Sequence, residues 1–332
     1  MYISQRFLLK YITLAFLSCL GTLVIFLVAS SNTTSPTLGT VAPLGTVAPL
    51  PADVALTNCH ILVMVMSTPA NTQNRALLRG NSYLAYPWLY NGTDIDFRFV
   101  FILGKSGDRV VDDRAVEEAR QYDDVVIGNF KDSYSLLSQK VMWAFDYALK
   151  RFKFVFCMKV DEDSFVNMSY LVGYLNSVNP RDLLDFYAGK PRQGDLTVPR
   201  NGKFTLDSDQ ISEYVQYNLG GGYILSSSAM SRILAIHRSG MITPVPWEDV
   251  YVGMLAHFAG IKPTRIYHYY VSKFYPFCTD AESKLLHHTP PDFQVRMLTY
   301  YDRFGKYCPE DTAEDEVFKL IYSYEITDWK DV

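Results

Sequence analysis

A mostly parallel α/β fold with helices on both faces of the sheet is what this 332-residue sequence predicts. Two observations predict it. Runs of strand length that are apolar throughout alternate with segments whose apolar residues recur at helical spacing. Strands without polar alternation must be covered on both sides, which is the habit of parallel sheets. A hydrophobic content of 48% gives such a domain a substantial core. Taken in order, "HILVMVMS" (60–67) opens the sheet, and "NTQNRALLRG" follows as a short amphipathic stretch closed by Gly80. "FRFVFILG" (97–104) is the next strand, "DDRAVEEARQYD" a helix, and "DVVIGNF" (124–130) a third strand. "SLLSQKVMWAFDYALKRF" carries apolar residues at helical spacing and leads into "FVFCMKVDEDSFVN" (154–167), a strand followed by acids.

Ahead of this domain, Arg6 and Lys10 precede an uncharged apolar run from Tyr11 to Ala29. At about 1.5 Å per residue the run is long enough to cross a bilayer. With the positive charges on its short side, the expected arrangement is type II: a cytoplasmic tail at 1–10, a single membrane span at 11–30, and everything else across the membrane. A cleaved signal peptide is the alternative, given the small residues of "VAS" before Ser31; its apolar region ordinarily runs about 7–15 residues. Residues 31–57 turn to Ser, Thr, Pro and Gly and contain "GTVAPL" twice in tandem, the composition of an extended stem. The globular domain is then 58–332. Sequons at Asn32, Asn91 and Asn167 lie on the side where glycosylation takes place under this topology.

Of five cysteines, Cys19 lies in the apolar run, which leaves Cys59, Cys157, Cys278 and Cys308 and three possible pairings. Cys278 with Cys308 is the expected pair, both lying in the irregular C-terminal region, and Cys157 also reads as a buried thiol. No cysteine spacing suggests zinc. The formal net charge of −4 offers no basic surface for nucleic acid.

In parallel sheets ligands bind beyond the carboxyl ends of the strands. Asp161, Glu162 and Asp163 arrive at that edge. Carboxylates two apart, Asp161 and Asp163, suit a hard divalent cation such as Mg²⁺ or Mn²⁺ that shares its remaining positions with phosphate oxygens, and a nucleotide diphosphate is its natural partner. Lys159 faces the same side as a counter-charge. Acid triplets also occur on solvated turns. Downstream, Gly220, Gly221 and Gly222 in "YNLGGGYILSSSAM" permit close backbone approach to a ligand, or simply a tight turn. "VPWEDVYVGMLAHFAGI" sets Trp247, Glu248 and Asp249 at a helix start, where acids act as caps or, beside an aromatic platform, as a catalytic carboxylate.

Together "FILG", "DSYSLLSQKVMWAFDYA", "FCMKVDEDSFVN", "LGGGYILS" and "WEDVYVGMLAHFAGI" resemble the β-1,3-galactosyltransferase family (glycosyltransferase family 31), which includes β-1,3-N-acetylglucosaminyltransferases. The likeness runs from about His60 to about Lys262. It implies a GT-A type fold, a UDP-sugar donor with UDP-galactose favoured, Mn²⁺, a Golgi membrane location, and inverting β-1,3 transfer to an acceptor glycan on a glycoprotein, glycolipid or proteoglycan. By resemblance Asp161 and Asp163 hold the metal and Asp249 is the general base. The donor contacts it implies are Arg75, Arg79, Lys159, Glu162, Gly221, Gly222, Trp247 and Glu248, with Asp161 shared. The sequence departs from the family where "RALLRGNSYL" has Asn81, Ser82 and Tyr83 in place of a Thr-Trp pair, where Glu162 replaces the commoner Asp, and where a later cysteine is absent. After Gly260 it matches no family pattern, and acceptor choice is expected there. Two other classes fit parts of the pattern: a phosphatase of the haloacid-dehalogenase type, whose first Asp is a nucleophile, and a non-catalytic Golgi lectin or partner protein that keeps the fold.

Overall fold

A computed structural model describes residues 55–81, 83–84, 96–194, 196, 214–270 and 285–304. The expected membrane span, the stem, Asn32, Asn91 and the pair Cys278 and Cys308 lie outside these residues. Among the described residues no helix is long and apolar enough to cross a membrane.

The strands are β1 (Thr57–Asn58), β2 (Ile61–Met66), β3 (Phe97–Lys105), β4 (Val125–Lys131), β5 (Phe152–Lys153), β6 (Phe156–Asp161), β7 (Phe165–Val166), β8 (Tyr187–Gly189), β9 (Gly222–Ser226), β10 (Thr264–Arg265), β11 (Tyr269–Tyr270) and β12 (Leu285–Leu286). The helices are α1 (Thr72–Asn81), α2 (Arg109–Gln121), α3 (Leu137–Arg151), α4 (Met168–Asn176), α5 (Ser227–Arg238), α6 (Glu248–Phe258) and α7 (Pro291–Phe304). The central sheet has the order β10-β8-β9-β6-β2-β3-β4. Every neighbouring pair is parallel except those made by β9, which runs against both β6 and β8. A small second sheet, β11-β12-β7, sits beside the end of β6.

The core lies on both faces, as uninterrupted apolar strands require. One cluster joins Leu62, Met64, Cys157, Tyr223 and Leu225 to α3, α5 and α6. The other joins Val63, Val65, Met158 and Val160 to α1, α2, α4 and α7. Successive residues of a strand face opposite ways, so Lys159 and Asp161 share the face of Cys157 and look toward α6. Cys59 and Cys157 are buried free thiols, so Cys59 leaves the set of candidate pairings. Burial pushes both thiols up, Cys59 to about 11, which keeps them protonated and inert.

The reversal of β9 places the glycines. A strand entering antiparallel starts at the edge where its neighbours end, so Gly222 pairs with Val160 and Gly220 and Gly221 sit next to Asp161. Helix α6 starts at the same edge, with Trp247 as an N-cap residue that makes no side-chain capping bond.

Candidate active site

Lys159 is the centre of the site. Its side chain is 1% exposed, and its ammonium donates to Asp161 Oδ1 at 2.7 Å, the carbonyl of Gly220 at 2.6 Å and Glu248 Oε1 at 2.6 Å. Those bonds use all three of its donors. Burial alone would lower Lys159, but Asp161 and Glu248 outweigh it and hold the ammonium above the ordinary lysine range. Glu248, 3% exposed, accepts a second hydrogen bond from the Tyr223 hydroxyl at 2.9 Å. Two carboxylates, Asp161 and Glu248, share this one ammonium, and Asp249 follows Glu248 in the first turn of α6. Burial and the neighbouring acids push Glu248 up to about 7 against the pull of Lys159.

Asp249 is partly exposed. Its Oδ2 accepts the Gly220 N–H at 3.0 Å and its Oδ1 the Val250 N–H at 2.8 Å. Burial lifts it above the usual carboxylate range although both backbone bonds oppose the shift. Each oxygen keeps a lone pair that can take a proton. Capping and base chemistry are therefore compatible here.

Beyond β6 a tight turn, Ser164 N–H to Asp161 O at 3.1 Å, brings Asp163 back to the edge. The second sheet then delivers two residues that sequence reasoning missed. Strand β12 pairs with β7, and the Thr289 N–H donates to Asp163 O at 2.6 Å, which lays His287 and His288 over the acids. His287 Nε2 is 3.4 Å from Asp163 Oδ1 and 3.6 Å from Asp161 Oδ2; His288 Nδ1 is 3.6 Å from Asp163 Oδ2. Burial would raise Asp163, but the two imidazoles beside it outweigh that effect and hold the carboxyl well below its usual range. Potential ligand atoms of Asp163, His287 and His288 lie within 4.8 Å of one another, with Asp161 adjoining through His287. Carboxylate oxygens with imidazole nitrogen suit Mn²⁺ better than Mg²⁺, which prefers oxygen alone. The donor set fits the expected ion. Its only signal in the sequence is the "HH" doublet, more than a hundred residues from the acids and without local spacing to tie it to them.

The glycines do something other than expected. A Cβ on Gly221 would lie 2.5 Å from His287 Cγ, one on Gly222 2.4 Å from Leu285 Cδ1, and one on Gly220 3.0 Å from Glu248 Oε1. The bare backbone makes room for the β12 segment and the α6 acids, so Gly221 and Gly222 shape the site through the chain's own side chains.

Four further expected donor contacts are placed elsewhere. Arg75 is fully buried, its guanidinium given to Glu118 at 2.5 and 2.9 Å, Ser67 Oγ at 2.9 Å and the Thr68 carbonyl. Arg79 pairs with Glu118 at 2.8 Å and Asp124 at 2.7 Å, held between the rings of Phe101 and Tyr122. Through Glu118 the two arginines brace α1 against α2. Glu162, one residue past Asp161, flips to the other face, where Asn71 and Asn74 donate to it. Burial outweighs those bonds and raises it. Trp247 is 5% exposed and edge-on to Tyr214 at 6.2 Å, which makes it core rather than a platform. Lys159 spends all three of its donors inside the site.

The sequence family described as galactosyltransferase matches residues 82–267. Among curated relatives, lactosylceramide 1,3-N-acetyl-beta-D-glucosaminyltransferase A of Xenopus laevis is 26% identical over 222 residues, covering 64% of this chain and 57% of that protein. Beta-1,3-galactosyltransferase 1 of Mus musculus is 29% identical over 180 residues, covering 52% and 53%. The chain thus spans little more than half the length of these two relatives. Of solved structures, the WbbM bifunctional glycosyltransferase superposes with a TM-score of 0.39 at 12% identity, over 78% of this chain and 52% of that one. Staphylococcus aureus TarS with UDP gives 0.35 at 12%, over 62% and 57%. Scores below 0.5 define neither the fold family nor a ligand.

Proposed function

Because the chain belongs to the galactosyltransferase family, we propose that it is an inverting glycosyltransferase of GT-A type. In this reading it moves galactose, or N-acetylglucosamine, from a UDP-sugar to an acceptor glycan in β-1,3 linkage. One observation carries the reading. The acids of the β6 turn, with His287 beside them, and the Glu248–Asp249 pair meet at one sheet edge, where a single buried ammonium joins Asp161 to Glu248. The names of the relatives favour both sugars, and the first of them a glycolipid acceptor. The apolar run at 11–29 supports a Golgi type II anchor, with residues 31–57 as stem and 58–332 as the catalytic domain.

Asp163, His287 and His288, with Asp161 beside them, would hold Mn²⁺, which when bound stabilises the charge that develops on a diphosphate leaving group. Asp249 receives the acceptor hydroxyl's proton on a carboxylate oxygen, its basicity raised by burial and its orientation fixed by the Gly220 and Val250 amides. Glu248, clamped by Lys159 and Tyr223, stands beside Asp249 and in this reading orients substrate through the site it braces.

Turnover and UDP affinity in Asp249→Asn and Asp163→Asn test the assignment. Losing the base should cost about 10²–10⁴ in turnover and leave UDP binding with Mn²⁺ intact, whereas losing the metal ligand should abolish that binding. The amide can accept only one of the two N–H groups that Asp249 holds, so melting temperature is followed alongside. A folded, fully active Asp249→Asn protein would remove the base from this mechanism. Release of UDP without any acceptor requirement would favour a hydrolase.

A further inference from the structure

The buried ammonium has a function distinct from donor contact. We propose that Lys159 is a positioning residue that builds the cation site from behind. By engaging Asp161 Oδ1, it leaves Oδ2 as the oxygen presented to His287, and by engaging Glu248 and the Gly220 carbonyl, it locks that carboxylate to the α6 acids. The inference rests on the metal-dependent reading above.

The geometry supports it in three ways. Lys159 lies on the strand face that looks toward α6, and its donors end on three different segments: the β6 turn, the glycine run and the start of α6. An unanchored Asp161, at 28% exposure, would be free to rotate about χ2, since a terminal sp³–sp² torsion is broad. Asp161 Oδ2 is 3.6 Å from His287 Nε2, a separation that survives only while the other oxygen is held. Partners of this kind, one step behind a ligand, typically change metal affinity by about 10–100-fold when removed.

Charge and positioning act in opposite directions, which makes the idea testable. Deleting a cation beside a cation site should tighten metal binding by Coulomb's law, while releasing Asp161 should weaken it. At a pH above the value near 7 to which Glu248 is raised, Lys159→Met combined with Glu248→Gln removes one positive and one negative charge, so the net charge of the cluster is unchanged and positioning is isolated. Removing both members of a buried pair is also far milder for folding than removing one.

The experiment titrates Mn²⁺ alone into the full chain, by calorimetry or by the electron paramagnetic resonance signal of free Mn²⁺, with melting temperature recorded for each protein. The double variant should melt within a few degrees of wild type and bind Mn²⁺ about 10–100-fold more weakly. Lys159→Gln with Glu248→Gln, which fills the gap with two amides, serves if the first variant does not fold and should shift affinity the same way. A folded double variant whose Mn²⁺ affinity equals that of wild type overturns the role of Lys159 and leaves the metal site standing. A wild-type protein that binds Mn²⁺ no better than Asp163→Asn overturns both.

Discussion

Gly221→Ala puts one methyl group into the narrowest gap of the candidate site. The new Cβ would meet His287 Cγ at 2.5 Å, Nδ1 at 2.7 Å and Cβ at 2.8 Å, against the 3.4 Å at which ordinary contact begins. His287 must therefore retreat by about 0.9 Å. It has little room to do so, being held by the pairing of β12 with β7 and the bond from Thr289 N–H to Asp163 O. Metal–ligand distances tolerate about 0.2 Å, so a displacement several times larger should take the imidazole out of the ligand set. The Gly221 carbonyl accepts from Ser164 Oγ at 2.7 Å, and the substitution leaves that bond available, so the turn that presents Asp163 should persist. Overpacking of this kind costs about 1–3 kcal/mol in stability, and loss of one ligand should weaken Mn²⁺ binding by at least about tenfold. Paired measurements of Mn²⁺ affinity and melting temperature provide the assay. An alanine variant that is destabilised yet binds Mn²⁺ like wild type would show that His287 is packing and not a ligand.

Glu248 gives a pH signature. Its carboxyl rises from 4.5 unfolded to about 7 folded, so between those values the folded state holds a proton that the unfolded chain has released, and stability falls as pH rises. In metal-free protein this contributes a loss of roughly 1 kcal/mol per pH unit across pH 5 to 7, which Glu248→Gln should remove; equal slopes for the two proteins in urea titrations would refute the shift. At the sequon of Asn167 the side chain is 2% exposed. Expressed through a secretory route, the folded protein should therefore carry no glycan there, and a glycopeptide containing Asn167 in native active protein would contradict its placement.

Apolar runs at strand length, helical spacing between them and acids arriving without a break after "FVFCMKV" are local patterns. From them the sequence by itself determined the class of fold, the position of β6 and the edge on which its acids emerge. The physical reason is that burial on both faces of a parallel sheet writes itself into consecutive residues. Asp161, Asp163 and Asp249 were legible on the same ground, each lying at a strand end or a helix start. Partners were not legible, because a hydrogen bond between residues 61 or 89 positions apart leaves no periodicity. Only the tertiary structure decided that Lys159 spends its donors inside the site, that Glu162 flips to the far face while its neighbours stay, and that Arg75 and Arg79 brace a helix. The same holds for the glycines and for His287: β9 runs against the rest of the sheet and β12 closes over it, and the space that Gly221 leaves empty is the space the imidazole fills.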